Sequence, residues 1–132
     1  MAGQPIADLA AQRQPRTPDA HPSPASVLAA EIKALVEAGD RDQARDGFGA
    51  LVALLQRRAI RIAFQYLRDA ADADEAVQDA FVKAYMHIGT FREELPFEVW
   101  FTRILINGCL DRLKARRRRE KWLAPVTTDA MG

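Results

Sequence analysis

Cysteine and histidine are scarce in this sequence, and their scarcity limits its chemistry. Cys109 is the single cysteine, so no intrachain disulfide can form, and with His21 and His87 far apart it makes no recognisable zinc-ligand spacing. A reducing cytosol fits that composition best. No hydrophobic run approaches the roughly 20 residues needed to cross a bilayer. The N-terminus also lacks a basic stretch followed by an apolar core and a small-residue cleavage site, so neither export nor membrane insertion is expected. No phosphate-binding glycine loop occurs, and no serine or cysteine nucleophile sits beside a candidate histidine. The run Asp72-Ala73-Asp74-Glu75 is better explained by helix capping than by metal binding. Catalytic residues, metal sites and cofactors are therefore not expected.

What is present is apolar and charged material in proportions suited to one domain. The chain has 132 residues, 48% hydrophobic and 28% charged, enough for a single compact core but not comfortably for two. Its formal net charge of +1 conceals an uneven layout. Asp69, Asp72, Asp74, Glu75 and Asp79 gather in the middle, and Arg116, Arg117, Arg118 and Arg119 near the end, so local charge matters more than the sum.

Prolines at 5, 15, 18, 22 and 24 lie among Gln, Ala and Arg, a mixture that cannot hold a stable helix or ladder; residues 1–25 read as a disordered tail. Ser26 is the expected N-cap of a first helix carrying Val27, Leu28, Ile32, Leu35 and Val36, with Gly39-Asp40 as its stop. A second helix is predicted from about Asp42 to Leu67, because Phe48, Leu51, Val52, Leu55, Ala59, Ile62, Ala63 and Tyr66 recur at steps of three and four. Gly47 and Gly49 weaken its first turns. Arg57, Arg58, Arg61 and Arg68 read as its solvated face.

A third helix, near Asp72 to Ile88, has Asp72 as its expected cap and an apolar stripe of Val77, Ala80, Phe81, Ala84, Tyr85 and Ile88. Glu75, Gln78, Asp79, Val82 and Met86 fall on the opposite face, a mixed acid, amide and apolar strip suited to a protein partner. Gly89 to Leu95 reads as a loop, and Pro96 fits the first turn of a fourth helix running to about Lys121. At 100° per residue, Phe97, Phe101, Ile104, Leu105 and Gly108 gather towards the core. Arg103, Asn107, Asp111, Lys114 and Arg118 form a separate stripe, and Trp100 falls on it. With no strand signal between these segments, the fold class is all-α, a compact bundle of about four helices.

A basic helix end, a basic-polar stripe and nearby aromatics fit a nucleic-acid surface, since phosphate neutralisation supplies affinity and aromatic faces stack on unpaired bases. Each part also has a plainer reading. Arginines favour helix C-termini through the dipole. Asn107 is either a solvated amide or a donor and acceptor for a base edge, and Trp100 either a core residue or a stacking platform. The loop from Phe91 to Leu95 is an ordinary connection or a pocket for an extruded base.

The blocks Asp72-Ala73-Asp74-Glu75-Ala76-Val77-Gln78-Asp79-Ala80-Phe81-Val82-Lys83-Ala84-Tyr85, Phe91-Arg92, Phe97-Glu98-Val99-Trp100-Phe101-Thr102-Arg103-Ile104-Leu105-Ile106-Asn107 and Asp111-Arg112-Leu113 resemble, in order and spacing, the second conserved region of extracytoplasmic-function (ECF) sigma factors. The resemblance covers about residues 30 to 122, and 26–122 is read as the domain. It implies that Asp74, Glu75, Gln78 and Asp79, with Val82 and Met86 beside them, bind the clamp helices of the largest subunit of core RNA polymerase. It implies that the loop and fourth helix recognise and melt the promoter minus-ten element, holding non-template bases through Arg92, Phe97, Trp100, Arg103, Asn107, Asp111 and Lys114. Arg116 to Arg119 and Lys121 would then hold backbone phosphate without sequence preference. An anti-sigma factor is a further implied partner, and as the principal one it would make the chain a protein-interaction module instead. A third reading is a basic amphipathic module for RNA or anionic membrane. The family continues through a linker into a helix-turn-helix domain for the minus-thirty-five element; residues 123–132 read as the start of that linker, with the second domain absent.

Overall fold

The computed structural model describes residues 22–131, with side chains as far as Leu123. It is an all-α bundle of four helices with no strand among the described residues: α1 (Pro24–Glu37), α2 (Arg41–Leu67), α3 (Ala70–Met86) and α4 (Phe97–Met131). A short 3-10 turn, Ile88–Thr90, follows α3. The tail expected over residues 1–25 lies outside the described residues as far as 21. At its inner end Pro24 and Ala25 belong to α1.

Local chemistry sets each boundary. The Ser23 hydroxyl accepts from the Ser26 amide at 3.1 Å and Pro24 occupies the first helical turn, so Ser23, not Ser26, caps α1. Its far end closes with Gly39 at φ +83°. The Gly39 amide donates to Val36 and the Asp40 amide to Leu35, satisfying carbonyls the helix leaves unpaired. Asp40 then caps α2 through the Gln43 amide, and α2 ends at Arg68, held left-handed at φ 56°. Asp69, not Asp72, caps α3, accepting the Asp72 amide at 2.8 Å. The helix ends at Met86, two residues earlier than expected, and Ile88 reaches the core from the 3-10 turn. Pro96 lies just before α4, its carbonyl accepting the Val99 and Trp100 amides. The last helix runs beyond Lys121 to Met131, through the stretch expected to begin a linker.

The core is one cluster. Ala25, Ala29 and Ile32 from α1 meet Leu51, Leu55, Ala59, Ala63 and Leu67 from α2, while α3 adds Ala73, Ala76, Val77, Ala80, Phe81 and Ala84. Phe97, Phe101, Leu105 and Cys109 recur every four residues along the buried side of α4. The many alanines let the helices approach closely. Tyr66, expected in the stripe of α2, is exposed instead. The large rings collect at one end: Phe81 stacks on Phe101 with centroids 4.5 Å apart, and Phe48 meets Tyr85 at 5.0 Å.

Side-chain contacts fix the helix directions. Leu55 and Ile62 of α2 share a groove with Glu98 and Leu105 of α4, and the Leu67 carbonyl accepts from Arg116, so α2 and α4 run parallel. Phe81 against Phe101 and Asp72 against Arg116 make α3 antiparallel to α4. The basic end of α4 therefore lies where α2 ends and α3 begins.

Candidate functional site

α3 presents its acid-and-amide strip to solvent. Asp74, Glu75, Gln78 and Asp79 are all exposed, as are Val82 (57%) and Met86 (71%), which sit about one and two turns further along. The cause is helical periodicity: Ala73, Ala76, Val77, Ala80 and Ala84 take the buried face. The Gln78 amide donates to Asp74 at 3.1 Å and so is partly ordered along its own helix. Asp79 accepts from the Arg112 guanidinium of α4 at 2.5 Å.

The loop before α4 is anchored from both sides. Phe91 is buried, its ring against Phe97 and Trp100, while its carbonyl accepts from the Lys33 ammonium of α1 at 2.9 Å. The Ser26 hydroxyl accepts the Phe97 amide at 2.9 Å, so a residue expected to cap α1 satisfies the first amide of α4. Ser23 donates to Glu98 at 2.8 Å. Between these anchors Arg92, Glu93, Glu94 and Leu95 stand exposed in a turn closed by the Leu95 amide on the Arg92 carbonyl.

Along α4 the expected stripe is exposed: Arg103, Asn107, Asp111, Lys114 and Arg118, with Arg117, Arg119 and Lys121 near it. Trp100 is half-buried, its ring 5.5 Å from both Phe91 and Phe97. It is thus both core residue and partly open surface.

One expected DNA contact is corrected, and a second is found paired within the bundle. Phe97 is fully buried and offers a base nothing to touch; it serves as a floor under Trp100. Arg116 is half-buried and paired, donating to the Leu67 carbonyl at 3.1 Å and to Asp72 at 2.6 Å. It leaves Arg117, Arg118 and Arg119 as the exposed members of the tract. Asp72 thereby has a tertiary role in place of the capping role expected for it. Lys33 and Ser26, which hold the loop, and Arg112, which spans α3 and α4, carried no signal that spacing alone reveals.

Cys109 is buried beside this helix pair. Burial pushes its thiol above the ordinary value of 9.0, and the Arg112 guanidinium pulls partly the other way. Among the described residues no cluster of three metal-ligating side chains forms, and no helix is long and apolar enough to cross a membrane.

The fold and site define an all-helical domain with two unlike faces, one acidic and amide-bearing, the other cationic and aromatic. Residues 51–119 match the family model for sigma-70 region 2. The chain is 38% identical over 85 residues to RNA polymerase sigma-H factor of Pseudomonas aeruginosa, covering 64% of this chain and 44% of that one. It is 38% identical over 97 residues to ECF RNA polymerase sigma factor SigM of Mycobacterium tuberculosis, covering 74% and 46%. An engineered region 2 of sigmaE, solved by NMR in complex with GTAAAA, superposes with a TM-score of 0.61 at 28% identity, covering 74% of this chain and 93% of that one. The chain belongs to the sigma-70 region 2 family and is of the ECF type. It spans about half the length of the curated relatives it matches.

Proposed function

We propose that this domain docks on core RNA polymerase through the exposed strip of α3 and recognises and melts a promoter minus-ten element through the loop at Arg92–Leu95 and the outer face of α4. The observation that carries this reading is the disposition of the two faces. One bundle holds Asp74, Glu75, Gln78, Asp79, Val82 and Met86 open on α3, and Trp100, Arg103, Asn107, Asp111 and Lys114 open or half-open on α4. The partners are the clamp helices of the largest polymerase subunit and the non-template strand. The compartment is the cytoplasm.

The proposed work is binding without bond chemistry. Unstacking a base step costs on the order of a few kcal/mol, offset by capture of an extruded base and by stacking of about 1–3 kcal/mol per base. Melting becomes favourable only where the sequence fits the site. Trp100, braced by Phe91 and Phe97, is the stacking surface; Arg103, Asn107 and Lys114 follow the strand. Arg117, Arg118, Arg119 and Lys121 hold phosphate without reading sequence. Lys33 is a positioning residue, since it fixes the backbone from which Arg92 projects.

The test uses the 132-residue chain, a clamp-helix fragment and single-stranded minus-ten DNA. Gln78→Ala with Asp79→Ala is expected to weaken clamp binding and Asn107→Ala to weaken DNA binding, each by about tenfold. Indifference of either assay to its variant would remove that half of the assignment. An anti-sigma factor would meet the same α3 strip, whose exposed Val82 and Met86 suit a protein partner. Competition between it and the clamp fragment is the expected outcome.

A further inference from the structure

The outward ridge of α2 belongs to neither proposed face. Ala50, Leu54, Arg57, Arg61 and Phe64 are all exposed and follow one another at alternating steps of four and three, and Arg68, also exposed, stands just past the end of the helix. That alternation places side chains in a single seam along a helix and is the spacing by which one helix lies alongside another. Leu54 is 52% exposed and Phe64 43%, so the seam carries two large apolar side chains in water.

Its charge is of one sign and unanswered. From Gly47 to Leu67, α2 contains no acid. Among the described residues the Arg57, Arg58, Arg61 and Arg68 side chains make no ion pair and no hydrogen bond, whereas Arg112 and Arg116 make both. Arg57 and Arg61, one turn apart, repel each other, a cost a carboxylate ligand would relieve. All four cations are arginine, the side chain suited to forked pairing with carboxylates and enriched in protein interfaces. A phosphate backbone would satisfy the arginines but strand Leu54 and Phe64 against a charged surface. A protein helix bearing acids and apolar residues satisfies both.

We propose that this ridge is a docking seam for an acidic amphipathic helix of a partner protein. Its acids lie against Arg57, Arg61 and Arg68, and its apolar side chains against Leu54 and Phe64. The proposal is independent of polymerase or promoter binding.

The experiment titrates the 132-residue chain with a synthetic helical peptide carrying leucines and glutamates at the matching spacing, and with its twin in which lysine replaces each glutamate. Calorimetry gives affinity, and amide chemical shifts locate the peptide. The glutamate peptide is expected to shift Leu54, Arg57, Arg61, Phe64 and Arg68, and the lysine twin not to bind. Arg57→Glu with Arg61→Glu should weaken the glutamate peptide at least about tenfold and admit the lysine twin. Leu54→Ala with Phe64→Ala should also weaken it, with helicity and thermal midpoint checked in every variant. Failure of the glutamate peptide to bind would overturn the proposal. So would loss of binding on Arg117→Glu with Arg118→Glu, or tighter occupation of the ridge by duplex DNA or phosphatidylserine vesicles.

Discussion

Arg116 and Arg117 are neighbours in sequence with different circumstances in the fold. Arg116 ties α4 to the last carbonyl of α2 and to Asp72 of α3, whereas Arg117 is exposed with no such contact. A surface ion pair alone is worth about 0–1 kcal/mol, and a charged donor to an otherwise unpaired helix carbonyl adds to it. Arg116→Ala is therefore expected to lower stability by about 1–2 kcal/mol in urea titration, with Arg117→Ala within about 0.5 kcal/mol of the parent. Spacing could not separate the two, because the difference lies in what Leu67 and Asp72 bring from elsewhere in the chain. By contrast, the exposure of Gln78 and Asp79 was legible, since the alanines of α3 mark its buried side without any tertiary knowledge. Cys109 allows a pH prediction. Its thiol pKa is raised in the folded state, so the unfolded chain ionises first. The contribution is full below the unfolded pKa and is lost as pH climbs through the folded value. Stability should fall on the alkaline side, and Cys109→Ala, though less stable at neutral pH, should remove that part of the decline.

At the scale of elements, the four helices and the single core were legible because apolar residues recur at helical steps along each. Their starts were less so. Ser23 and Ser26, like Asp69 and Asp72, stand three residues apart, and either member of each pair has the chemistry of a cap. In both pairs the earlier residue caps, and the later one turns to a partner on α4: Ser26 to the Phe97 amide, Asp72 to Arg116. Gly47 and Gly49 were expected to weaken α2, and the helix runs through both. A methyl group on Gly47 would stand 3.1 Å from Ile32 of α1, while at Gly49 it would meet nothing within 4 Å. Gly49→Ala should therefore stabilise by about 0.5–1 kcal/mol. Gly47→Ala should gain less or lose stability as α1 and α2 are pressed apart; denaturant midpoints of both variants check the contrast. Lys33 shows how one element sets another. Lys33→Met should raise hydrogen exchange over residues 91–95 and weaken single-stranded DNA binding several-fold while sparing the clamp fragment; a change in neither would remove its positioning role.

For the whole molecule, parallel α2 and α4 with α3 antiparallel put the basic end of α4 beside the acidic start of α3. Two guanidiniums of α4, those of Arg112 and Arg116, pair there with Asp79 and Asp72 of α3, and Arg117, Arg118 and Arg119 stay exposed. The arginine tract thus divides into scaffold and surface, a division the sequence does not display. The Asp79–Arg112 bridge has a consequence for traffic between the two faces. Asp79 belongs to one face and Arg112 springs from the helix that carries the other. A visitor that claims the carboxylate sets the guanidinium loose near the opposite ledge, and one that claims the guanidinium bares the carboxylate. By reciprocity, each occupant would then make the other's arrival easier by the same factor, severalfold at most for a bridge so open to water. Strictly additive effects of Asp79→Asn and Arg112→Gln on the pair of affinities would mean that the two ledges do not converse.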